Sequence, residues 1–377
     1  MIIKSQSFFS ILISFLFFFV LFIGNYELYG FRVFYGSVVV FLMYVISYNR
    51  FLSTKTISIF IAVVIFNLLL LPVSVDISNY IPGYYHWSIQ LSISILIMSA
   101  FITDAKRVES TCWMQVLSYL CIFFIAGSLI VGQNSGGRIH FIFGPNVLYR
   151  VIGFLAIVSV YYSYAIRKNT VYTVFFIMVY IYTIFLIGSR GGVISSPIII
   201  LMLLHCRLVK INYKLLLLMM IFIILSTSVF SYYFSDTRLM SFNTDNEASS
   251  VGIRFHVLMY TWNNISSIAL SNGMPYSDYY SLFYTDSFMY PHNAFVELVL
   301  FYGFSGVILS IFMIYCFFVV MFYFFKSPFS KEHVLFYGLL ILFPGILFSG
   351  DLNDNASIMG LLLMLYVHRK LLTNTID

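Results

Sequence analysis

Residues 291–325 read PHNAFVELVLFYGFSGVILSIFMIYCFFVVMFYFF, and this stretch decides the class of fold. After a polar start comes a long apolar run in which Glu297 is the one charged residue. The run exceeds the about 20 residues with which a helix crosses a bilayer. The whole chain has the same character, with 61% hydrophobic, 20% aromatic and 9% charged residues. This composition indicates an all-α, polytopic integral membrane protein.

A window of about 20 residues predicts about twelve membrane spans. They lie near residues 8–23, 31–47, 57–73, 86–102, 113–131, 147–166, 170–188, 192–206, 214–232, 294–325, 333–349 and 356–368. The tenth is too long for one untilted crossing, so we expect it to lean or to begin with a re-entrant or interfacial turn near Gly303 and Gly306. Nine spans then occupy residues 1–232, a long loop follows at 233–293, and three spans with a short cytoplasmic tail fill 294–377.

The basic residues test this division, because cytoplasmic loops are enriched in Lys and Arg. Of the 20 Lys and Arg residues, 14 fall on one side of the membrane and 6 on the other. The smaller group consists of Arg32, Arg138, Arg150, Arg190, Arg238 and Arg254. We therefore predict that both termini are cytoplasmic and that the loop 233–293 lies outside.

Several classes of protein do not fit the sequence. There is no Walker A motif, and the short basic loops have no room for an ATPase domain. The four cysteines show no metal-ligand spacing, and the net charge of +6 is spread over loops rather than gathered for nucleic acid. We expect no cofactor, no metal and no nucleic-acid partner.

The first outer feature is a loop in which Gly136-Gly137-Arg138-Ile139-His140-Phe141 precedes Gly144-Pro145-Asn146 and Arg150. Gly and Pro interrupt helices, so irregular backbone at this membrane face can bring Arg138 or His140 toward a ligand. The alternative is a connecting loop whose arginines snorkel to the membrane surface.

The second outer feature is the turn Gly188-Ser189-Arg190-Gly191-Gly192 between two closely spaced predicted spans. An arginine at this depth needs an anionic partner or a water-filled cavity, and its guanidinium suits a phosphate. The alternative is that Arg190 is a turn arginine that snorkels to lipid phosphate.

The third outer feature is the loop 233–293, which holds Arg238, Gly252-Ile253-Arg254 and Pro291-His292-Asn293. From about residue 250 to 267 apolar residues recur at helical spacing, which predicts an amphipathic helix at the membrane face. His292 lies immediately before the tenth span, with Asn293 as its predicted N-cap. Histidine is suited to proton transfer near neutral pH, although a histidine at a helix start is often structural.

In this order, the Gly-Pro-Asn element, the Ser-Arg-Gly-Gly turn, the Gly-x-Arg ahead of Trp262, and His292-Asn293 followed by Glu297, Gly303 and Gly306 resemble the O-antigen polymerase and O-antigen ligase superfamily. The resemblance implies a metal-independent glycosyltransferase at the periplasmic face of the bacterial inner membrane. Its expected partners are an undecaprenyl-pyrophosphate-linked oligosaccharide, membrane lipids and a chain-length regulator protein.

The resemblance also implies roles for individual residues. His292 is the candidate general base or acceptor-orienting residue, and Arg190 and Arg254 are the candidate ligands of the pyrophosphate. Further substrate contacts are expected from Arg138, Asn146, Arg150, Arg238, Asn293 and Glu297. A sugar hydroxyl must lose a proton as it attacks, and the departing pyrophosphate needs its charge stabilised, so these residue types suit the chemistry.

Three alternatives remain open at this point. A polymerase and a ligase use the same donor and differ in the acceptor, and we favour the polymerase because the Phe-, Ile- and Tyr-rich composition is in keeping with it. A purely structural membrane protein is a further alternative, but it would leave the asymmetric cluster of Arg and His unexplained. A flippase or other transporter would also have about twelve helices. Transporters, however, usually place polar residues near the bilayer midplane, and the sequence shows no internal repeat.

Overall fold

The structure is a computed structural model. It describes residues 2–23, 27–28, 31–32, 36–42, 54, 57–65, 82–107, 111–135, 138–187, 197–207, 259–270, 273, 293–348 and 352–373. Within these residues the protein is almost entirely helical, which confirms the predicted all-α membrane fold.

Ten helices in the described part of the chain are numbered in chain order. They are α1 (Ile2–Phe18), α2 (Pro82–Arg107), α3 (Cys112–Ile130), α4 (Pro145–Tyr161), α5 (Thr170–Ile187), α6 (Pro197–Arg207), α7 (Ile265–Ala269), α8 (Ala294–Lys326), α9 (His333–Phe348) and α10 (Leu352–Thr373). A π-helical turn extends α1 over Phe19–Ile23 and another extends α4 over Tyr162–Ile166. Residues 36–42 and 57–65 are also helical.

Each predicted span except 214–232 contains described helical residues. The span 214–232, and parts of the spans 31–47, 57–73 and 192–206, lie outside the described residues. The count of twelve therefore stays a prediction. Three of the described helices are long and apolar enough to cross a membrane by length and composition, namely Cys112–Ile130, Asn146–Ile166 and Ala294–Lys326. Five shorter apolar helices accompany them.

Two short antiparallel hairpins interrupt the helical pattern. In the first, β1 (Glu27–Leu28) pairs with β2 (Phe31–Arg32), and in the second, β3 (Gln133–Ser135) pairs with β4 (Arg138–His140). The first strand pair corrects the predicted start of the second span, because residues 31 and 32 pair with a strand and the described helical residues of this span are 36–42.

The core lies around α4, which is the most buried of the three long helices. It packs against α3, α5 and α9, while α10 packs against α2, α8 and α9. Large apolar side chains on the outer faces of α3, α5 and α8 are exposed, for example Phe123, Met178 and Ile311. In a membrane these faces contact lipid, since no water is present to penalise their exposure.

Several buried serine hydroxyl groups find hydrogen-bond partners within the bundle. Ser14, Ser118 and Ser159 each donate to the carbonyl four residues earlier in their own helix. Ser357 of α10 donates to the Val20 carbonyl at 2.7 Å and lies 3.1 Å from Ser94 of α2. These bonds hold α1, α2 and α10 together without leaving polar groups in an apolar medium.

A pair of buried histidines joins the ends of α6, α8 and α9. The Tyr337 hydroxyl donates to Nδ1 of His205 at 2.8 Å, and Nε2 of His205 donates to the Ser327 carbonyl at 3.1 Å. Nδ1 of His333 accepts from the Ser330 backbone N–H at 3.0 Å. The two imidazole rings lie 5.2 Å apart. In the predicted topology this cluster is at the cytoplasmic end of the bundle.

Candidate active site

The tenth predicted span begins with a re-entrant arm. Gly303 has φ 53° and ψ −124°, which is a conformation that breaks the helix and strongly favours glycine. The Ser310 hydroxyl donates to the Phe295 carbonyl at 3.4 Å. In a continuous helix two residues separated by 15 positions would lie roughly 22 Å apart along the axis. Residues 294–302 therefore fold back on the start of the span, as predicted for Gly303 and Gly306.

Small residues allow the two parts of α8 to pack closely. A Cβ atom on Gly306 would collide with the Leu298 carbonyl of the arm. Gly306 and Ser310 lie one helical turn apart, so both face the arm. Residues 304–326 remain for the crossing itself, a length close to the about 20 residues that a membrane requires.

Asn293 caps the arm, which confirms its predicted place as an N-cap. Its Oδ1 accepts from the backbone N–H groups of Phe295 at 3.0 Å and Val296 at 3.1 Å. The Glu297 N–H donates to the Asn293 carbonyl at 3.0 Å. The cap fixes the direction in which the chain enters the arm, and the preceding residue in the chain is His292.

Glu297 lies in the first turn of the arm and is 2% exposed. Negative charge near a helix N-terminus is stabilised by the helix dipole, which offsets part of the cost of burying the carboxylate. The arm therefore brings two of the predicted substrate-binding residues, Asn293 and Glu297, to one place.

The loop between the ninth and tenth spans packs on this arm. Its helix α7 contacts α8, and Gly273 adopts φ 105° against the carbonyls of Leu300 and Phe301. A Cβ atom at Gly273 would collide with the Phe301 carbonyl. The glycine thus permits the backbone of the loop to approach the end of the arm closely.

Arg150 lies at the other described part of the predicted outer face. It is 4% exposed, and its Nε donates to the Asn146 carbonyl at 2.9 Å. Its Nη1 donates to Oδ1 of Asn355 at 3.5 Å, and a Cβ atom on Gly345 would lie 2.8 Å from Nη1. The guanidinium is therefore placed among α4, α9 and α10 rather than extended from a loop to the surface.

The loop before α4 has the irregular backbone expected of it. Arg138 pairs with Ser135 at the start of β4, and Ile142 has a positive φ of 61° between two bridged phenylalanines. The side chains of Arg138 and His140 lie outside the described residues. A ligand role for Arg138 stays a prediction.

Four other predicted site residues also lie outside the described residues. They are the proposed catalytic His292, Arg190 and Arg254, and the substrate-binding Arg238. The chain positions of two are bounded by described elements, since His292 directly precedes the cap and Arg190 lies between α5 and α6. Their roles stay predictions.

The structure adds Asn355 and Gly345, which sequence reasoning missed. Asn355 was placed outside the last span, predicted at 356–368, whereas α10 begins at Leu352 and Asn355 is fully buried. A signal was available in Asp351-Leu352-Asn353-Asp354-Asn355, a polar cluster at a helix start. In the described part of the chain no group of three or more His, Cys, Asp or Glu side chains could hold a metal ion.

Residues 173–311 match the family model for O-antigen ligase. The matched segment runs from α5 to just beyond the re-entrant arm and contains Arg190, Arg254 and His292, while the Gly-Pro-Asn element lies before it. No curated protein and no solved structure matches the chain. The order of the sequence motifs and this family match agree: residues 173–311 are similar to the O-antigen ligase family, which supports the resemblance to the superfamily of O-antigen polymerases and ligases.

Proposed function

We propose that this protein is a glycosyltransferase that polymerises undecaprenyl-pyrophosphate-linked oligosaccharide units at the periplasmic face of the inner membrane. The observation that carries the proposal is that the family match includes the arm, the Asn293 cap and the segment with Arg190 and Arg254. In the sequence, His292 directly precedes the capping Asn293, and the buried Glu297 follows the cap one turn later.

In the proposed reaction the acceptor sugar hydroxyl attacks the anomeric carbon of the donor. His292 accepts the hydroxyl proton as the new glycosidic bond forms. The bond from the anomeric carbon to the lipid pyrophosphate breaks, and Arg190 and Arg254 bind the departing anion. Among the arginines predicted on the outer side, Arg150 has a described side chain. It is bonded to Asn146 and Asn355 and lies close to Gly345.

A ligase is the second candidate, and the description of the matched family as O-antigen ligase favours it. It would use the same donor and transfer the finished polymer to lipid A-core. Deletion of the gene distinguishes the two functions. Loss of a polymerase leaves lipid A-core with a single repeat unit, whereas loss of a ligase leaves none attached and lipid-linked polymer accumulates.

Point variants in the deletion strain test the catalytic assignment. We expect His292→Ala and Arg254→Ala to abolish the ladder of long chains on a polysaccharide gel while membrane levels of the protein stay normal. Arg167→Ala is the matched control, because Arg167 is exposed beside Tyr162 and is predicted to be cytoplasmic. A full ladder from either outer variant would overturn the assignment.

A further inference from the structure

The outer loop contains a short helical segment that is anchored on one side. Residues 259–263 and α7 form two helical pieces that meet at Asn264. Thr261 and Ile268 are 5% and 7% exposed, and α7 packs against α8. One side of the segment is thus bound to the membrane helix that carries the re-entrant arm.

The opposite side of this segment exposes large apolar residues. Trp262 is 69% exposed and Leu270 is 84% exposed, and Met259 and Tyr260 lie beside them at 39% and 37%. No Asp, Glu, Lys or Arg occurs in the sequence between Arg254 and Asp278. An uncharged surface that exposes several large apolar side chains is typical of contact with a partner or a membrane.

Two polar side chains of the segment are bonded to its own backbone, while Asn263 and Ser266 are exposed. Nδ2 of Asn264 donates to the Tyr260 carbonyl at 2.9 Å, and the Ser267 hydroxyl donates to the Asn264 carbonyl at 2.9 Å. These internal bonds lower the cost of moving the segment out of water, since the groups keep a partner when hydration is lost.

The exposed apolar residues of the segment lie near an exposed apolar side of α8. Gly273, just beyond Leu270, packs on the Phe301 carbonyl. Farther along α8, Phe304, Ile308 and Ile311 are 58%, 51% and 62% exposed on a helix long and apolar enough to cross the membrane. The loop segment and the lipid-facing side of α8 are therefore neighbours.

We propose that the outer face of residues 259–270 lies in the interfacial layer of the lipid bilayer, with Trp262 and Leu270 as its anchors. An indole places its apolar ring against acyl chains and its N–H among headgroups, which is why tryptophan concentrates at this depth. Because the same segment packs on α8, the anchor holds the re-entrant arm at the membrane surface. The proposal does not depend on the reaction that the protein catalyses.

Tryptophan fluorescence of the full chain in phosphatidylcholine vesicles tests the proposal. The protein has three tryptophans, and Trp87 and Trp113 are 1% and 3% exposed. The emission lost in Trp262→Phe therefore isolates the signal of Trp262. We expect lipids brominated near the headgroup end of the acyl chain to quench this signal more than lipids brominated near the methyl end. We expect aqueous iodide to leave it unquenched.

A second variant tests the same face at another position. Leu270→Trp in the Trp262→Phe background should give emission with the same preference for shallow bromines. Quenching of the Trp262 signal by iodide but not by brominated lipid would overturn the proposal, because the face would then be in water. Protection from both quenchers would also overturn it, because the face would then be covered by protein.

Discussion

At the scale of single residues, Arg150 shows how the bundle holds a charge. Its side chain is bonded to the Asn146 carbonyl of its own helix, reaches Asn355 of α10 and lies over Gly345 of α9. A charged group inside a membrane protein is costly, and such groups usually face the protein interior or a water-filled cavity. The buried position of the Arg150 guanidinium thus supports a role in binding an anionic substrate.

In the described part of the chain two glutamates are buried, one at the proposed outer site and one at the opposite end, so the second can serve as a control for the first. Glu297 on the arm is 2% exposed, and Glu332 before α9 is 3% exposed. We expect Glu297→Gln to lower polymer formation about tenfold, the effect of losing roughly 1.4 kcal/mol of transition-state stabilisation. Glu332→Gln should leave it unchanged, since Glu332 lies at the predicted cytoplasmic end. Quantified gel ladders at equal protein level measure both, and equal losses would contradict the placement of the site.

At the scale of secondary structure elements, the arm depends on two glycines of α8. Gly303 has a backbone conformation that a side chain disfavours, and Gly306 allows the arm to contact the following turn. From sequence, the same two glycines and the excessive length of the apolar run predicted either a leaning span or a re-entrant or interfacial turn. The structure has the turn. The sequence could indicate it because glycine conformation and helix length are local properties.

Alanine at these positions should release the arm. We expect Gly303→Ala to destabilise the protein by roughly 1–3 kcal/mol, the usual cost of a strained backbone conformation. Gly306→Ala should act through its collision with the Leu298 carbonyl. Thermal unfolding in detergent measures both effects. Gly36→Ala is the control, because a Cβ atom there meets nothing within 4 Å. Unchanged stability of both arm variants would contradict the re-entrant geometry.

The buried histidine cluster should stabilise the opposite end of the bundle. His205→Phe removes the acceptor of the Tyr337 hydroxyl and the donor to the Ser327 carbonyl. A buried polar group left without a partner costs roughly 1–3 kcal/mol. We expect Tyr337→Phe to be destabilising as well, and the double variant to lose less than the sum of the two. Melting temperatures of the four proteins give the coupling, and strict additivity would show that the bond contributes nothing.

At the scale of the whole molecule, the contacts sort the helix ends into two groups. Arg150, Gly345 and Asn355 bring together the start of α4, the end of α9 and the start of α10. His205, Ser327 and His333 bring together the end of α6, the end of α8 and the start of α9. This alternation agrees with the predicted division into spans. Which group faces the cytoplasm is predicted by the positive-inside rule alone.

Reporter fusions test that orientation. Alkaline phosphatase, which is active outside the cytoplasm, should be active when fused within residues 233–293 and inactive when fused after Lys168 or Thr373. A fluorescent protein that folds in the cytoplasm should show the reverse pattern. Activity of the phosphatase after Lys168 would contradict the prediction that the larger group of basic residues lies inside.

Composition and order along the chain were sufficient for the membrane class, most of the described helical residues of the spans, the Asn293 cap and the resemblance to the family. Each of these depends on hydrophobicity, on glycine and asparagine conformation, or on motifs, which are properties of neighbouring residues. The predicted catalytic roles of His292, Arg190 and Arg254 stay predictions.

Only the tertiary structure shows the contacts of Arg150, the histidine cluster and the elements that the outer loop packs against. The contact between Arg150 and Asn355 joins residues 205 positions apart, and that between His205 and Tyr337 joins residues 132 apart. No local pattern in the sequence specifies which helices become neighbours, because that choice depends on how all their surfaces pack together. The chain therefore specifies its membrane helices locally, whereas the partners of its buried polar groups follow from the assembled bundle.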